Sequence, residues 1–457
     1  MTTPLSQRYL ARITAAGAGS AGLTAAADRS PLLEAAYGGR GRFLPQPVFL
    51  TDEQRRRVTA DLARLHDLLL TLPGRLFDGS LDAFCREVGL TGPQVDAVRR
   101  TRSRTGAPPR LSRADLYPDE AGFTLLEYNY SSALGGFDNT EINAAMLDSP
   151  VLKDFVADEG LTYPDTLAEI ARTVMASYRA ARPDSTDRPV LALADWPASY
   201  PSLAPRLRYM ADRLSQFGFD AMACHAGQFE QRAGDLSLEG KRVDIVYRFF
   251  LSEDLLDPEA GTLLDPVIRA HESGRVHLFT GFDTELYGSK GSLSLLAEES
   301  YRGAFDAEEL AFVDRFLPWS RAVRRREVHF AGTAVDLLDL ARAQRCDFVL
   351  KPNLLHGGIG IVCGWTVTDA QWAAALEEAV DGPYVLQRRV RATTETFLDG
   401  HGSTGEFVLN WGVFLAADGY AGSIVRGTDD ADVGVLSMGT GARVGCCFVP
   451  EPGPAGG

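Results

Sequence analysis

The stretch Arg113-Ala-Asp-Leu-Tyr-Pro-Asp-Glu-Ala-Gly-Phe-Thr-Leu-Leu-Glu127-Tyr-Asn129 is predicted to form a β-hairpin around a turn at 118–122. Because side chains alternate along a strand, Glu127 and Asn129 point the same way, and the turn brings Asp115 within one pair of Glu127. The hairpin then presents Asp, Glu and Asn oxygens beside Arg113. Divalent cations such as Mg²⁺ prefer oxygen ligands, usually one or two carboxylates plus substrate phosphates. A merely solvated surface hairpin would explain the same pattern.

A second feature lies more than two hundred residues later, where Lys351 ends an apolar strand and is followed by His356-Gly-Gly-Ile-Gly360. A glycine-rich hairpin lets backbone N–H groups close over phosphates, and a Lys on the adjoining strand supplies a fixed positive charge. The spacings of Walker and kinase glycine loops are missing. Taken alone, a tight turn beside a surface lysine fits equally well. His356 is predicted to be a loop histidine and not a base.

The composition and net charge limit the class of protein to which this chain can belong. A chain of 457 residues, 45% hydrophobic and 23% charged, has room for two or three globular units. The net charge of −15, without a Lys/Arg-rich run, argues against nucleic acid or membrane as main partners. The six cysteines show no metal-binding spacing, and neither a secretion signal nor a long apolar segment occurs. We therefore expect a soluble, cytoplasmic protein with reduced, mostly buried thiols.

The rest of the chain predicts a mixed α/β organisation. Thr51 and Gln54 are typical of a capping box that begins a helix. From Pro189 to 279, strands alternate with helices, which predicts a parallel sheet, and no dinucleotide-binding Gly-x-Gly-x-x-Gly follows its first strand. Other segments are predicted to be connectors (101–109, 182–188), a helix (333–345), strands (384–390, 407–416, 420–426, 443–449) and a frayed tail (450–457).

Taken together, these motifs resemble the ATP-grasp carboxylate–amine ligases. In that family a strand-end Lys precedes a glycine-rich lid, an adenine-contacting strand follows, and an Arg-x-Asp…Glu-x-Asn hairpin completes the site. Lys351-Pro352, the lid glycines and Tyr384-Val-Leu-Gln387 match the first two elements. In most of the family the hairpin closes the chain, whereas here it precedes the lid. That order resembles the circularly permuted branch, which includes the glutathionylspermidine synthetases.

The resemblance implies an α/β (α+β) fold: a permuted ATP-grasp core, a small parallel-sheet domain like the pre-ATP-grasp domain, and a glycine-rich lid. We expect four segments. They are 1–150 with N-terminal helices and the metal-binding hairpin, 151–300 with the parallel sheet, 301–395 with the lid, and 396–457 with the remaining core strands.

The resemblance also implies roles for individual residues. Asp115, Glu127 and Asn129 would hold Mg²⁺, and Arg113 and Arg426 would stabilise charge in the reaction. The ATP-binding set would be Lys290, Lys351, Gly357, Gly358, Gly360, Gln387 and Val390. Arg113 and Arg426 could instead be ordinary salt-bridge partners within strands. Lys290 could instead be an exposed lysine at a helix start, which is common. Candidates for holding the substrate, each of which could instead be structural, are Tyr128, Ser131, Ser132, Asn139 and Arg248.

The expected activity is ATP-dependent amide formation. ATP would convert a carboxylate to an acyl phosphate, and an amine would displace phosphate. We expect the enzyme to join two amino acids, or an amino acid to a small peptide or amine, for example as a γ-glutamyl or α-dipeptide product of specialised metabolism. Three alternatives stay open: a ligase acting on a peptide or protein terminus, a small-molecule kinase, and a nucleotide-binding partner protein without turnover. No feature specifies an oligomer, and a homodimer is left open.

Overall fold

The computed structural model describes residues 3–17, 24–37, 42–103, 106–119, 122–183, 188–232, 234–398 and 403–451. Parts of four predicted segments lie outside the described residues: 120–121 of the hairpin turn, 104–105 and 184–187 of the connectors, and 452–457 of the tail.

The helices of the described ranges are α1 (Pro4–Ala15), α2 (Pro31–Tyr37), α3 (Asp52–Leu76), α4 (Leu81–Glu87), α5 (Gly92–Thr101), α6 (Asn139–Met146), α7 (Pro150–Asp158), α8 (Thr166–Ala181), α9 (Tyr200–Ser215), α10 (Ala260–Glu272), α11 (Asp283–Gly288), α12 (Lys290–Ala297), α13 (Ala307–Phe316), α14 (Leu337–Ala343) and α15 (Asp369–Ala379). The helix predicted after Thr51 is confirmed as α3, with the reciprocal Thr51–Gln54 capping box in place. No described helix combines the length and apolar character needed to cross a membrane.

The strands are β1 (Val48–Phe49), β2 (Ser112–Asp119), β3 (Gly122–Asn129), β4 (Leu161–Thr162), β5 (Val190–Asp195), β6 (Asp220–His225), β7 (Glu230–Arg232), β8 (Asp235–Leu238), β9 (Lys241–Arg242), β10 (Ile245–Arg248), β11 (His277–Phe279), β12 (Ser320–Ala322), β13 (Glu327–Phe330), β14 (Thr333–Asp336), β15 (Phe348–Pro352), β16 (Val362–Cys363), β17 (Tyr384–Arg388), β18 (Thr394–Leu398), β19 (Thr404–Ala416), β20 (Gly419–Thr428) and β21 (Arg443–Pro450).

The central sheet joins strands from both ends of the chain, in the order β1-β21-β20-β19-β2-β3, with β18 on β19 and β4 on β21. The predicted hairpin is confirmed as β2–β3, with Asp115 paired to Glu127. Just beyond that pair, Leu116 opposes Leu125, so Leu126 is the extra residue of a β-bulge. The bulge matters for the site because it turns the Leu126 carbonyl toward Lys351.

The parallel sheet predicted from the alternation after Pro189 is confirmed. Its order is β11-β10-β5-β6, and every pair in it is parallel. A buried apolar cluster packs α8 and α9 against it, with residues such as Val174, Leu207 and Leu214. From the C-terminal edge of this sheet the chain continues into α11 and α12. Both helices contact the segment predicted to be the lid.

A four-stranded sheet in the segment predicted to be the lid, called the lid sheet below, has the order β12-β17-β15-β16 and is antiparallel throughout. The helix predicted over 333–345 is wrong in its first part, because residues 333–336 form β14 and pair with β13. Ala331 and Gly332 both have positive φ, +51° and +84°, and form a two-residue hairpin turn that fixes this pairing. The helix begins only after Asp336, whose side chain accepts from the Leu338 and Asp339 N–H groups.

All six cysteines are free, and all but Cys346 are buried, which confirms the expected mostly buried thiols. The four-segment division of the chain stays a prediction.

Candidate functional site

A cavity of about 390 Å³ lies between the central sheet and the lid sheet. That volume falls in the range of small-molecule sites. Strands β2, β3, β19 and β20 supply one wall, β15–β17 and the glycine-rich turn supply the other, and residues 431–437 cover one side. Of the described residues, six basic side chains and three acidic ones line it. The cavity is therefore positive within a protein whose net charge is −15, which favours a polyanionic ligand.

The structure brings most of the predicted site residues to this cavity. The lining residues among them are Arg113, Asp115, Glu127, Asn129, Lys351, Gly357, Gly358, Gln387, Val390 and Arg426. Lys290 contacts Glu127 from behind the lining. Gly360 is not a lining residue; a Cβ there would lie 3.2 Å from Pro352 Cγ, so this glycine lets the turn pack on the end of β15.

Asp115 is the most heavily paired acidic group of the site. Arg113 Nε lies 3.0 Å from its Oδ1, and Arg426 Nη2 lies 2.8 Å from its Oδ2. Arg113 is oriented further by a 2.8 Å bond from Nη1 to the Leu134 carbonyl, and Arg426 by a 3.0 Å bond to Asn410 Oδ1. Burial raises the pKa of Asp115, but the two guanidinium groups outweigh it and lower the pKa to about 2. Asp115 is therefore an anion at neutral pH.

Glu127 faces two lysines. Lys290 Nζ lies 3.0 Å from its Oε1, and Lys290 is itself 5% exposed, not the exposed lysine of a solvated helix start. Lys351 is also buried, and its Nζ donates to the Leu126 carbonyl at 3.1 Å. Burial lowers the pKa of Lys351 to about 8, partly opposed by the charge of Glu127. The two ammonium groups outweigh the effect of burial on Glu127 and lower its pKa.

The glycine-rich turn needs its glycines for backbone reasons. Gly357 and Gly358 have φ of +65° and +83°, a region that side chains disfavour. A Cβ on Gly358 would also lie 2.9 Å from Val435 Cγ1, on the segment that covers the cavity. The turn thus brings backbone close to the cavity without side chains in the way.

Several lining residues were not found by the sequence reasoning. The Arg389 guanidinium lies 3.9 Å from the ring centre of Trp365 and 3.3 Å from Asp432 Oδ1, which joins the lid to segment 431–437. No local pattern predicts that three-way contact. Tyr117, in contrast, could have been found, because it follows Arg113 and Asp115 at the two-residue period of β2.

The residues suggested for holding substrate are not lining residues. Tyr128 alternates with its neighbours, so its ring lies in the core on the other face of the hairpin, with its hydroxyl 3.1 Å from His66 Nδ1. Ser132 Oγ donates to the Arg248 carbonyl at 2.5 Å, and Arg248 is fully buried and paired with Glu285. The other two also make local contacts, Ser131 with the Ala133 N–H and Asn139 with Thr166.

The donor set at the hairpin fits Mg²⁺ bound jointly with a phosphate ligand. Among the described residues, no cluster of three or more His, Cys, Asp or Glu side chains is arranged to hold a metal ion. Mg²⁺, however, usually takes only one or two protein carboxylates and completes its shell with water and phosphate. Asp115 and Glu127 are such carboxylates. Beside them the buried Asn129 Nδ2 has no hydrogen-bond partner, so the amide is not locked by the protein.

Comparison with known proteins identifies the fold. No protein-family model matches the sequence, and no curated protein matches it. Among solved structures, the chain is similar to a glutathione synthetase-like effector from Globodera pallida in its apo form, with a TM-score of 0.54 and 11% identity over 89% of this chain and 90% of that chain. A second structure, described as a "putative gamma-glutamylcysteine synthetase" from Methylobacillus flagellatus, has a TM-score of 0.42 and 12% identity over 88% of this chain and 89% of that chain. The mixed α/β fold of this chain therefore matches that of a glutathione synthetase-like protein.

Proposed function

We propose that this protein is an ATP-dependent carboxylate–amine ligase of the circularly permuted ATP-grasp type. The observation that carries the proposal is the meeting, at one positive cavity, of the Asp115–Glu127–Asn129 hairpin with Lys351 and the Gly357–Gly358 turn. These groups come from distant parts of the sequence. Their convergence is what a triphosphate and its metal ion require.

Each group has a role in this proposal. Lys351, Lys290 and the backbone of the glycine-rich turn bind the phosphates, and residues 387–390 contact the adenine. Asp115, Glu127 and Asn129 would hold Mg²⁺, which would neutralise phosphate charge when bound. Arg113 and Arg426, already oriented by Leu134 and Asn410, offset the negative charge that builds up during phosphoryl and acyl transfer.

The reaction has two steps. In the first step, a substrate carboxylate oxygen attacks the γ-phosphorus of ATP, and the bond from that phosphorus to the β-phosphate oxygen breaks. ADP departs, and the substrate is now an acyl phosphate. The amine then attacks the acyl carbon, the C–N bond forms, inorganic phosphate leaves and the amine nitrogen loses a proton. The glycine-rich turn and segment 431–437 exclude water from the acyl phosphate.

The substrates that we propose are two amino acids, joined as a γ-glutamyl or α-dipeptide product of specialised metabolism in the cytoplasm. The glutathione synthetase-like name of the structurally similar effector supports amide formation between amino acids.

The test is release of ADP and phosphate with Mg-ATP against an array of paired amino acids and small amines, with product masses recorded. A product mass equal to the sum of one pair less water establishes the ligase. A phosphorylated substrate without condensation identifies a kinase instead, and turnover only with peptides or protein ends identifies a ligase of termini. Lys351→Met, which removes the ammonium at similar volume, is the inactive control.

A further inference from the structure

The segment that leads into the glycine-rich turn is attached to two helices outside the lid at successive positions. The Asn353 carbonyl accepts from the Lys290 backbone N–H at 2.9 Å, and the Leu355 carbonyl accepts from Lys290 Nζ at 2.8 Å. At the next residue, His356 Nε2 lies 3.8 Å from Glu285 Oε2. Lys290 begins α12 and Glu285 lies in α11, so the root of the turn is held from outside the lid sheet.

Glu285 is an immobile anchor. Its side chain is 2% exposed and pairs with the fully buried Arg248, and its Oε2 accepts from the Ser252 N–H at 2.8 Å. Arg248 is held in turn by the Thr280 and Phe250 carbonyls, and its guanidinium lies 4.3 Å from the ring centre of Phe282. A buried ion pair with this many partners has one arrangement, because any shift would leave a charge unpaired. Glu285 therefore presents a fixed negative charge to the lid.

The turn has two internal hydrogen bonds, from the Ile359 N–H to the His356 carbonyl and from the Ile361 N–H to the Gly358 carbonyl, and it lies against Pro352 and Val435. Gly357, Gly358 and Gly360 all have positive φ, and glycine loses the most conformational freedom when it is ordered. Ile359 at the tip is 63% exposed, so the far end of the turn is mainly in solvent. The root at 353–356 therefore adds order to a turn that is costly to order and open to solvent at its tip.

We infer that His356 is a positioning residue, which holds the root of the glycine-rich turn against Glu285 so that the turn's backbone is placed over the phosphate site. The identity of the ligand as a nucleotide rests on the proposed function. The anchoring of the turn to α11 does not depend on the proposed function. The contact also joins the lid to the Arg248–Glu285 pair and, through the Arg248 carbonyl, to Ser132 in the loop after the hairpin.

Acidic and basic groups from several elements surround His356. Glu285 of α11 and Glu253 of the segment after β10 are the acidic groups facing it, while Lys290 of α12 and Arg248, behind Glu285, are the basic ones. Burial raises the pKa of Glu253, and the neighbouring His356 partly opposes that rise. Glu253 Oε2 has no hydrogen-bond partner. Two carboxylates therefore face the imidazole, with Glu285 Oε2 at 3.8 Å from Nε2.

The test compares the full-length wild type with His356→Ala and His356→Gln. It measures the Kd of Mg-ATP by calorimetry and amide hydrogen exchange over 353–361. His329→Ala is the matched control, because His329 also faces a glutamate, with Nδ1 3.0 Å from Glu299 Oε2, but lies exposed on β13 and does not line the cavity.

For His356→Ala we expect Kd to rise about tenfold, the effect of losing one polar contact that orders the turn. Exchange should rise in 353–361 and stay unchanged in α11 and α12, and His329→Ala should change neither quantity. His356→Gln, which also lacks the imidazole, should shift Kd and exchange in the same direction as His356→Ala.

Two outcomes would overturn the inference: exchange over 353–361 that is unaffected by His356→Ala, or a Kd within about twofold of wild type. A wild type that does not bind Mg-ATP overturns the proposed function and the role toward nucleotide. The exchange measurement still decides separately whether His356 anchors the turn.

Discussion

Asp115 and Arg426 form a carboxylate–guanidinium contact of 2.8 Å although their strands are not neighbours, since β19 runs between β2 and β20. The β19 residue opposite Asp115 is Gly412, which has no side chain to block the approach. Arg113 reaches the same carboxylate from within β2. One buried anion therefore holds together two cations that would otherwise repel each other at the wall of the cavity.

Replacing Asp115 by Asn should destabilise the fold. The substitution removes the anion and leaves Arg113 and Arg426 close to each other and partly buried. We expect the free energy of unfolding at pH 7 to fall by about 3 kcal/mol, the typical effect of breaking a buried pair. Urea denaturation of the variant and the wild type measures this change in the free energy of unfolding.

The pH dependence of the same contact has a definite sign. Because the folded-state pKa of Asp115, about 2, lies below the usual value of 3.8, its stabilisation is present above about pH 4 and is lost as pH falls toward 2. As a control, Asp432→Asn should change stability by less than about 0.5 kcal/mol, since its side chain is 88% exposed. Equal unfolding midpoints for Asp115→Asn and wild type would contradict the prediction.

Gly412→Ala should weaken both the fold and the site. A Cβ there would lie 2.9 Å from Ile424 Cγ2 and 3.2 Å from both Arg113 Cδ and the Ile424 carbonyl oxygen. The backbone oxygen cannot yield easily, so we expect a loss of about 1–3 kcal/mol in the free energy of unfolding, together with weaker Mg-ATP binding as Arg113 is displaced. Gly261→Ala in α10 is the control, because nothing lies within 4 Å of its Cβ position. That control should be neutral or slightly stabilising, and similar behaviour of the two variants would rule out the steric argument.

Lys351 should make nucleotide binding sensitive to alkaline pH. Burial lowers its pKa to about 8, so its positive charge is present below pH 8 and is lost as pH rises above that value. The affinity for Mg-ATP should therefore fall above about pH 8 in the wild type. Lys351→Arg should keep its affinity to higher pH, because a guanidinium stays charged, and Lys351→Met should bind weakly at every pH. A wild-type affinity that is constant from pH 7 to pH 10 would show that Lys351 does not supply the charge.

Glu395→Gln should stabilise the protein at neutral and alkaline pH. Burial raises the pKa of Glu395 to about 7, only partly opposed by a hydrogen bond from Ser6, and its Oε1 has no partner. The folded state thus favours the protonated acid. Below about pH 4.5, Glu395 has no effect on the free energy of unfolding. The free energy falls as pH rises toward 7, and above pH 7 the full loss of roughly 3 kcal/mol persists.

The check on Glu395 is thermal unfolding of wild type and Glu395→Gln at pH 5 and pH 8. Glutamine is uncharged at both values, so the gain in Tm should be clear at pH 8 and small at pH 5. A gain of the same size at both values would mean that packing, and not charge, is responsible.

Local rules already carry part of the information that the structure adds. The sequence leaves Tyr128 open as a substrate-holding or a structural residue, and the two-residue period that places Glu127 and Asn129 in the cavity places Tyr128 in the core on the opposite face. The helix predicted over 333–345 is interrupted because residues 331 and 332 form the two-residue turn between β13 and β14, with Gly332 in the positive-φ region that such a turn needs. Arg248 is a different case, because its partner Glu285 lies far along the chain and no local pattern joins them.

By itself the sequence determined the local features: the β2–β3 hairpin, the shared face of Arg113, Asp115, Glu127 and Asn129, the helix cap at Thr51 and the glycine turn after Lys351. These follow from steric and periodic rules that act over a few residues. Only the tertiary structure decided that Arg426 reaches Asp115 across Gly412, that Lys290 is buried against Glu127, and that Arg389 closes the cavity with Trp365 and Asp432. Such contacts depend on the order of strands and the docking of the lid, which the packing of the whole chain sets and no single stretch encodes.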